Sequence, residues 1–386
     1  MVRGMESGKH SQKPSESQGR PPRLSVAFLE KVFLDKRGRA AALRGVELFN
    51  LKLVRDLCSL GVRVCIFADP SWAETIAGFV PDSGNLRIAQ ISHRSSGVVS
   101  GISAALSLRR IARRGGPFDV LLLGNVANRL VPALWLLRPC RYFTRMALVA
   151  HRETSARFLH AIRRMPGRVV AVSEPVAAGF RGKGIAADIA VDYGVMDADR
   201  FHPRGEGRSP GAPVRFCVVG ALDNAWKGAD TALAAFQLLP PDIRGRCELH
   251  LLAFRDPRPF MDIPGVTAYT WRDASQIPDF LRGMDAMLVP SRDEAVLRET
   301  FSQTAVQGML TGLPIVHSPV AVLAEKFDSG GGLCARTPEE FAAAMRALAS
   351  DPALRERLGA EARATALSRY VWDTERFLNR HLAQQP

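Results

Sequence analysis

The feature that most limits what this chain can fold into is a long alternation of short apolar runs with amphipathic stretches. LSVAFL (24–29), RVCIFA (63–68), VLLLG (120–124), MALVAH (146–151) and RVVAVS (168–173) are continuous and β-rich, and turn residues bound them. Runs apolar at every position, not every second one, fit parallel strands buried on both faces. Helical patterns lie between them. In VELFNLKLVRDLCSLG (46–61) apolar residues recur every three to four positions, and Gly61 is a natural stop. The alternation breaks at 198–213, ADRFHPRGEGRSPGAP, a Gly/Pro/Arg-rich linker, and then restarts. VRFCVVG (214–220), ELHLLAF (248–254), AMLVP (286–290) and LPIVHS (313–318) read as strands. ADTALAAFQLL, SQIPDFLRGM and TPEEFAAAMRALAS read as helices. Two successive βαβ series imply two doubly wound α/β domains facing each other across a cleft.

The length supports that division, because 386 residues exceed what one ordinary core serves. The expected organisation is a disordered tail at 1–22, rich in Ser, Pro, Gly and Lys, then a first domain over 23–204 and a second over 205–369. The amphipathic segment WDTERFLNRHL, within 370–386, has a return onto the first domain as one option. No apolar run is long enough to span a bilayer, and no apolar leader opens the chain. The six cysteines lack CxxC spacing, which suits reduced core residues in a cytoplasmic protein.

Charge is uneven. Residues 1–204 carry 32 Lys+Arg against 16 Asp+Glu, a net of +16, whereas 205–386 carry 20 against 22, a net of −2. A basic half attracts nucleic acid, an anionic membrane surface or an acidic substrate, or merely keeps the protein soluble. Nucleic acid fits least, because the basic half has few aromatics suited to stacking and no known binding module. The stretch RLVPALWLLRPCRYFTRM (129–146) mixes large apolar residues with spaced arginines. It reads as an interfacial patch, or as a buried helix with arginine on its wet face. The basic loop LDKRGRAAALR (34–44) follows the first strand and is a candidate lining of the cleft.

In open α/β sheets ligands sit beyond the carboxyl ends of strands. After strand 214–220 comes ALDNAWKG, then a helix. Gly220 lets the backbone come close, Lys227 adds charge, and the helix start at Gly228 offers free amides, which together suit a phosphate. A surface lysine ahead of a helix is the plain alternative. After strand 286–290 the single acid Glu299 precedes Thr300-Phe301-Ser302 and a helical run. The carboxylate could accept hydrogen bonds from sugar hydroxyls, or simply favour the helix N-terminus.

Taken together, these stretches resemble the GT-B glycosyltransferases of the large retaining glycosyltransferase family 4. That family's pattern is a strand, PS, a Glu, seven residues, a second Glu, then A-M-x-x-G-x-P-V. Here it reads Pro290-Ser291, Glu299, Gln307-Gly308-Met309 and Gly312-Leu313-Pro314-Ile315-Val316. VVGALDNAWKG, VVAVSEPVAAGF, VDYGVMDADRFHP and RGVELFNLKLVRDLCSLGVRV are similar to its other motifs, over roughly residues 24–380 in all. MALVAHRE places His151 where the family often has a cleft histidine.

The resemblance implies two Rossmann-like domains, with the donor on the second and the acceptor on the first. It implies that Glu299 meets hydroxyls of the donor sugar and that the amides of Thr300, Phe301 and Ser302 hold phosphate. Lys227 would balance the pyrophosphate, with Gly220 and Gly228 shaping its loop. His151 would lie near the sugar, and Gln307 would meet the ribose. Catalysis would fall to Glu299, His151 and Lys227, with no metal and no cofactor beyond the nucleotide-sugar substrate. The leaving phosphate would take the acceptor's proton. The sequence departs from the pattern twice: Gln307 stands for the second acid, and Ala221 for the arginine that precedes the lysine. Gln can still accept a ribose hydrogen bond. Loss of the arginine removes a charge-assisted contact of roughly 1.5–3 kcal/mol.

The expected protein is a cytoplasmic glycosyltransferase, peripheral at the inner face of the membrane. It would move a hexose-type sugar to a glycan or lipid-linked, lipopolysaccharide-like acceptor that bears negative charge. The alternative is a catalytically impaired GT-B subunit that binds nucleotide-sugar or serves as a scaffold. Hydrolysis would need two flanking carboxylates, and only Glu299 stands out.

Overall fold

The computed structural model describes residues 24–36, 45–80, 84–91, 97–138, 141–185, 187–205, 209, 211–254, 263–271, 273–293 and 299–383. The tail 1–22, most of the loop 34–44 and Arg298 lie outside the described residues.

Two fully parallel sheets are formed. The first contains β1 (Ser25–Leu29), β2 (Arg63–Ala68), β3 (Leu86–Gln90), β4 (Phe118–Leu123), β5 (Phe143–Ala150), β6 (Gly167–Ala171) and β7 (Asp188–Val191), in the order β3-β2-β1-β4-β5-β6-β7. The second contains β8 (Val214–Gly220), β9 (Cys247–Ala253), β10 (Val266–Thr270), β11 (Ala286–Val289), β12 (Ile315–His317) and β13 (Gly332–Cys334), in the order β10-β9-β8-β11-β12-β13. Both run outward from a central first strand, then reverse. This is the doubly wound arrangement expected from the apolar runs.

The nine runs read from sequence became the central strands. The four strands at the sheet edges escaped that reading. In β10 (VTAYT) no residue is fully buried, and in β3 (LRIAQ) only Ala89 is. An edge strand has a neighbour on one side only and needs no continuous apolar run. β5 also starts earlier than expected, at Phe143.

Helix Gly45–Ser59 shows how the local pattern positions the site. It turns Phe49, Asn50, Leu53, Val54 and Leu57 inward, and the chain leaves it through Gly61 at φ +85. Phe49 then packs edge-on against Trp372 at 4.8 Å and against His151 at 5.4 Å.

The last segment returns to the first sheet. Helix Pro352–Arg369 lies against the second domain, where Gly359 has no room for a side chain beside the Gly312 carbonyl. The chain then crosses. Val195 N donates to Tyr370 O (2.7 Å), and Trp372 N donates to Val195 O (3.1 Å). Beyond the crossing, His381 and Arg376 both bind Asp192, and Arg145 and Arg168 reach the carbonyls of Leu382 and Arg380. We place the division between the domains at 204/205, with 370–383 assigned to the first; 384–386 lie outside the described residues.

The crossing depends on Gly194, where an added Cβ would lie 2.5 Å from both Trp372 N and Tyr370 O. Gly194→Ala is expected to cost about 1–3 kcal/mol, the usual range for overpacking. It should also raise amide exchange across 372–382. Unchanged stability and exchange would show that the crossing tolerates a side chain.

Candidate functional site

Each sheet reverses its order between its first and fourth strands, at β1/β4 and β8/β11. Such switch points are where doubly wound folds bind ligands. Here the two face one cleft of about 980 Å³. Glu30, Asn125, His151, Arg152 and Tyr193 line it from the first domain, and Trp226 and Glu299 to Gln303 from the second.

On the second domain, Glu299 ties the two loops together. Its Oε2 accepts from Lys227 Nζ (2.6 Å) and Ser291 Oγ (3.3 Å), and its Oε1 accepts from Ser302 N (3.1 Å). Ser302 is left-handed at φ +59 and precedes helix Gln303–Leu310, so the carboxylate also caps that helix. Lys227 Nζ sits 4.3 Å over the Trp226 ring. Gly228, at φ +71, makes this approach possible, since a Cβ there would fall 2.0 Å from Pro290 O. The lysine and glutamate side chains are only 14% and 9% exposed, so their charges are offset mainly by each other.

This geometry refines the sequence expectations. Glu299, Thr300, Phe301, Ser302 and His151 line the cleft, and Lys227 joins them through its ion pair. Among the three amides expected to hold phosphate, that of Ser302 is already taken by Glu299. Gly220 (φ +151) and Gly228 shape the loop without lining the cleft. Gln307 is buried off the lining, and its Oε1 has no partner among the described residues. Arg292 does not replace the arginine missing at Ala221, because it binds Asp230 (2.7 Å) and Thr231 Oγ1 (2.5 Å).

On the first domain, His151 directly follows β5 and is buried between Phe49 and Tyr193, the latter ring 5.1 Å away. Burial pulls its imidazole down to about 3, so it is neutral at pH 7, and its Nε2 has no partner among the described residues. Sequence reasoning missed Glu30. It follows β1 directly, is 1% exposed, and accepts from Asn50 Nδ2 at 3.3 Å. Asn50 Nδ2 also reaches the Gly124 carbonyl at 3.3 Å. Burial raises the Glu30 carboxyl to about 7; Lys31, the Val32 amide and Arg152 oppose the rise, and Glu47 adds to it. The signal was present in the sequence as a lone acid at a strand end, the same kind of signal that exposed Glu299.

Among the described residues the cleft lining is not basic. Its charged lining is Glu30, Glu47, Glu153, Asp293 and Glu299 against Lys31 and Arg152. Of the four arginines of 129–146, three are engaged elsewhere, and Arg141 is exposed without lining the cleft. Arg129 pairs with Asp35, Arg138 stacks 4.5 Å over Trp135, and Arg145 holds the C-terminal segment. None of the described arginines of 129–146 lines the cleft.

Because the folded Glu30 holds its proton up to about pH 7 and an unfolded one releases it near 4.5, its ionisation weakens the fold as pH rises between those values. Glu30→Gln removes that loss. Its melting temperature relative to wild type should climb between pH 5 and pH 8. A difference independent of pH would contradict the assigned burial.

Residues 213–351 match the family described as Glycosyl transferases group 1. Over 369 residues the chain is 24% identical to a UDP-N-acetylglucosamine--N-acetylmuramyl-(pentapeptide) pyrophosphoryl-undecaprenol N-acetylglucosamine transferase of Phenylobacterium zucineum, covering 85% of this chain and 93% of that one. Among solved structures it resembles HepE of Anabaena in complex with UDP-glucose (TM-score 0.67, 15% identity, 93% of this chain and 98% of that one). It also resembles WaaG, a glycosyltransferase involved in lipopolysaccharide biosynthesis (TM-score 0.59, 14% identity, 94% and 100%). Together with the two facing switch points, these likenesses identify the fold as GT-B, and the match to the group 1 glycosyltransferases falls on the second domain.

Proposed function

We propose that the protein is a glycosyltransferase that moves a hexose-type sugar from a nucleotide-sugar to a glycan or lipid-linked, lipopolysaccharide-like acceptor. The observation that carries this reading is the Lys227–Glu299 pair, buried at the second switch point on one wall of a two-domain cleft. A nucleoside diphosphate leaving group develops charge that must be met in place. Lys227 is the cation for it, supported by the start of helix Ala229–Gln237 and by the amides of Thr300 and Phe301. As Lys227 turns to phosphate, Glu299 is freed toward the sugar's hydroxyls. His151, neutral and short of one partner, offers a hydrogen bond to the sugar from the opposite wall. Gln307 is assigned to the ribose, which would satisfy its Oε1. Transfer with retention and without metal follows from the likeness to glycosyltransferase family 4 and belongs to the same proposal. The named relatives include a complex with UDP-glucose, a transferase named for a pyrophosphoryl-undecaprenol acceptor and a glycosyltransferase involved in lipopolysaccharide biosynthesis, which supports the donor and acceptor classes.

No helix among the described residues is long and apolar enough to cross a membrane. We assign the protein to the cytoplasm, with peripheral contact at the membrane's inner face through Trp135, Arg138 and the exposed Val98, Val99 and Leu106. Failure to float with anionic vesicles would remove this contact from the account.

Thermal shifts with UDP, GDP, ADP, CMP and their sugar conjugates test the donor site. A nucleotide at 100 times its Kd should add about 2.7 kcal/mol to stability, and Lys227→Ala should abolish the shift. No shift with any nucleotide would favour the impaired or scaffold reading. Glu299→Gln is expected to lower transfer by roughly 10²-fold or more. Transfer at the wild-type rate would remove Glu299 from the mechanism.

A further inference from the structure

We infer that Glu30 is the acceptor-side catalytic residue, binding the attacking hydroxyl of a neutral sugar and taking its proton. The inference rests on the glycosyl-transfer reading and deepens it. Glu30 lies at the first switch point and lines the same cleft as Glu299. Its setting is built. Asn50, fully buried, donates to Oε2, and at Gly124 any Cβ would come within 2.9 Å of both Glu30 Oε2 and Asn50 Nδ2. A second observation points to a ligand there. His151 is 7% exposed and lines the cleft, and its Nε2 has no partner among the described residues; nor has Glu47 Oε2 from the same wall. Buried polar atoms are normally paired, and a polyhydroxylated ligand would pair both.

Other cleft groups suit the task less well. Glu299 holds the Ser302 amide and, on the proposed reading, turns its other oxygen to the donor sugar's hydroxyls. Burial holds His151 in its neutral form with little basicity. Glu153 and Asp293 are exposed. The groups facing Glu30 are Lys31, Arg152, Glu47 and the Val32 amide, and burial outweighs them to leave its carboxyl near 7, a value matched to base catalysis at neutral pH. The wall also selects the acceptor's class. Among the described residues, Glu30, Glu47 and Glu153 stand against Lys31 and Arg152 and leave no cationic excess for a phosphate, which suits an uncharged sugar at the reacting end.

In the step, the acceptor O–H gives its proton to the Glu30 carboxylate, and its oxygen bonds to the anomeric carbon. The bond from that carbon to the diphosphate oxygen breaks, and its electron pair leaves on the nucleoside diphosphate beside Lys227. The proton passes to solvent after product release. Glu30 thus replaces the leaving phosphate as proton acceptor. The role holds for either stereochemical course, since it concerns the acceptor's oxygen and not the anomeric carbon.

The test uses the full chain with UDP-glucose, UDP-N-acetylglucosamine and GDP-mannose, and follows nucleotide release with water as acceptor. Wild type should show a rate that rises through about pH 7 and then levels. Glu30→Gln should lower the rate roughly 10²–10⁴-fold and lose that rise, while keeping the wild-type thermal shift with the matching nucleotide. Sodium azide, a nucleophile with no proton to lose, should restore turnover in Glu30→Ala. An unchanged rate and profile in Glu30→Gln would overturn the assignment, as would an azide-insensitive Glu30→Ala that still binds nucleotide. A nucleotide shift lost in Glu30→Gln would place the residue on the donor side instead. No release by wild type from any of the three donors would overturn the glycosyl-transfer reading, and this assignment with it.

Discussion

The close contact between the loops after β8 and β11 is the constraint on which the donor wall depends. Gly228 lies so near the Pro290 carbonyl that no side chain fits between them. That approach brings Lys227 within 2.6 Å of Glu299. Glu299 in turn caps helix Gln303–Leu310 through Ser302, so one carboxylate holds a loop, a helix start and a cation at once. With both charges largely removed from water, truncating either alone would strand the other. The pair is therefore a poised arrangement: an incoming diphosphate can replace the carboxylate as the lysine's partner without leaving a charge unmet.

The opposite wall is built by different means. Glu30, Asn50, Gly124 and His151 come from four separate elements, and the crossing at Gly194 brings the C-terminal segment back under them. Phe49, Tyr193, Trp372 and His151 form one aromatic cluster, and Tyr193 continues it to Phe301 across the cleft at 4.6 Å. Packing thus links the acceptor wall, the donor loop and the returning tail. Lys326 lies fully buried beneath this junction, over the rings of Phe301 and Tyr370 at 4.3 and 4.6 Å.

Much of the fold was legible because central parallel strands need apolar residues on both faces. β1, β2, β4 and β8 declare themselves for that reason, whereas β10 and β13 at a sheet edge do not. Glu299 and Lys227 were legible because a short local pattern carries them. Glu30, Asn50 and Gly124 were not. They stand 20 and 74 residues apart along the chain and acquire meaning only when packed together. The charge count was uninformative about the cleft in a similar way. A sum over residues 1–204 cannot say which side chains face a cleft, and most of the described charged groups lining this one are acidic. The same holds for His151, whose neutrality comes from neighbours distant in sequence.

The central claim is that a nucleotide-sugar binds where Lys227 meets Glu299. Amide hydrogen exchange, with and without a saturating nucleotide chosen by thermal shift, tests it most directly. The account predicts added protection over 220–228 and 299–303, with the outer helix Val98–Gly115 unchanged. Protection confined to that helix, or none in either loop after β8 and β11, would contradict it.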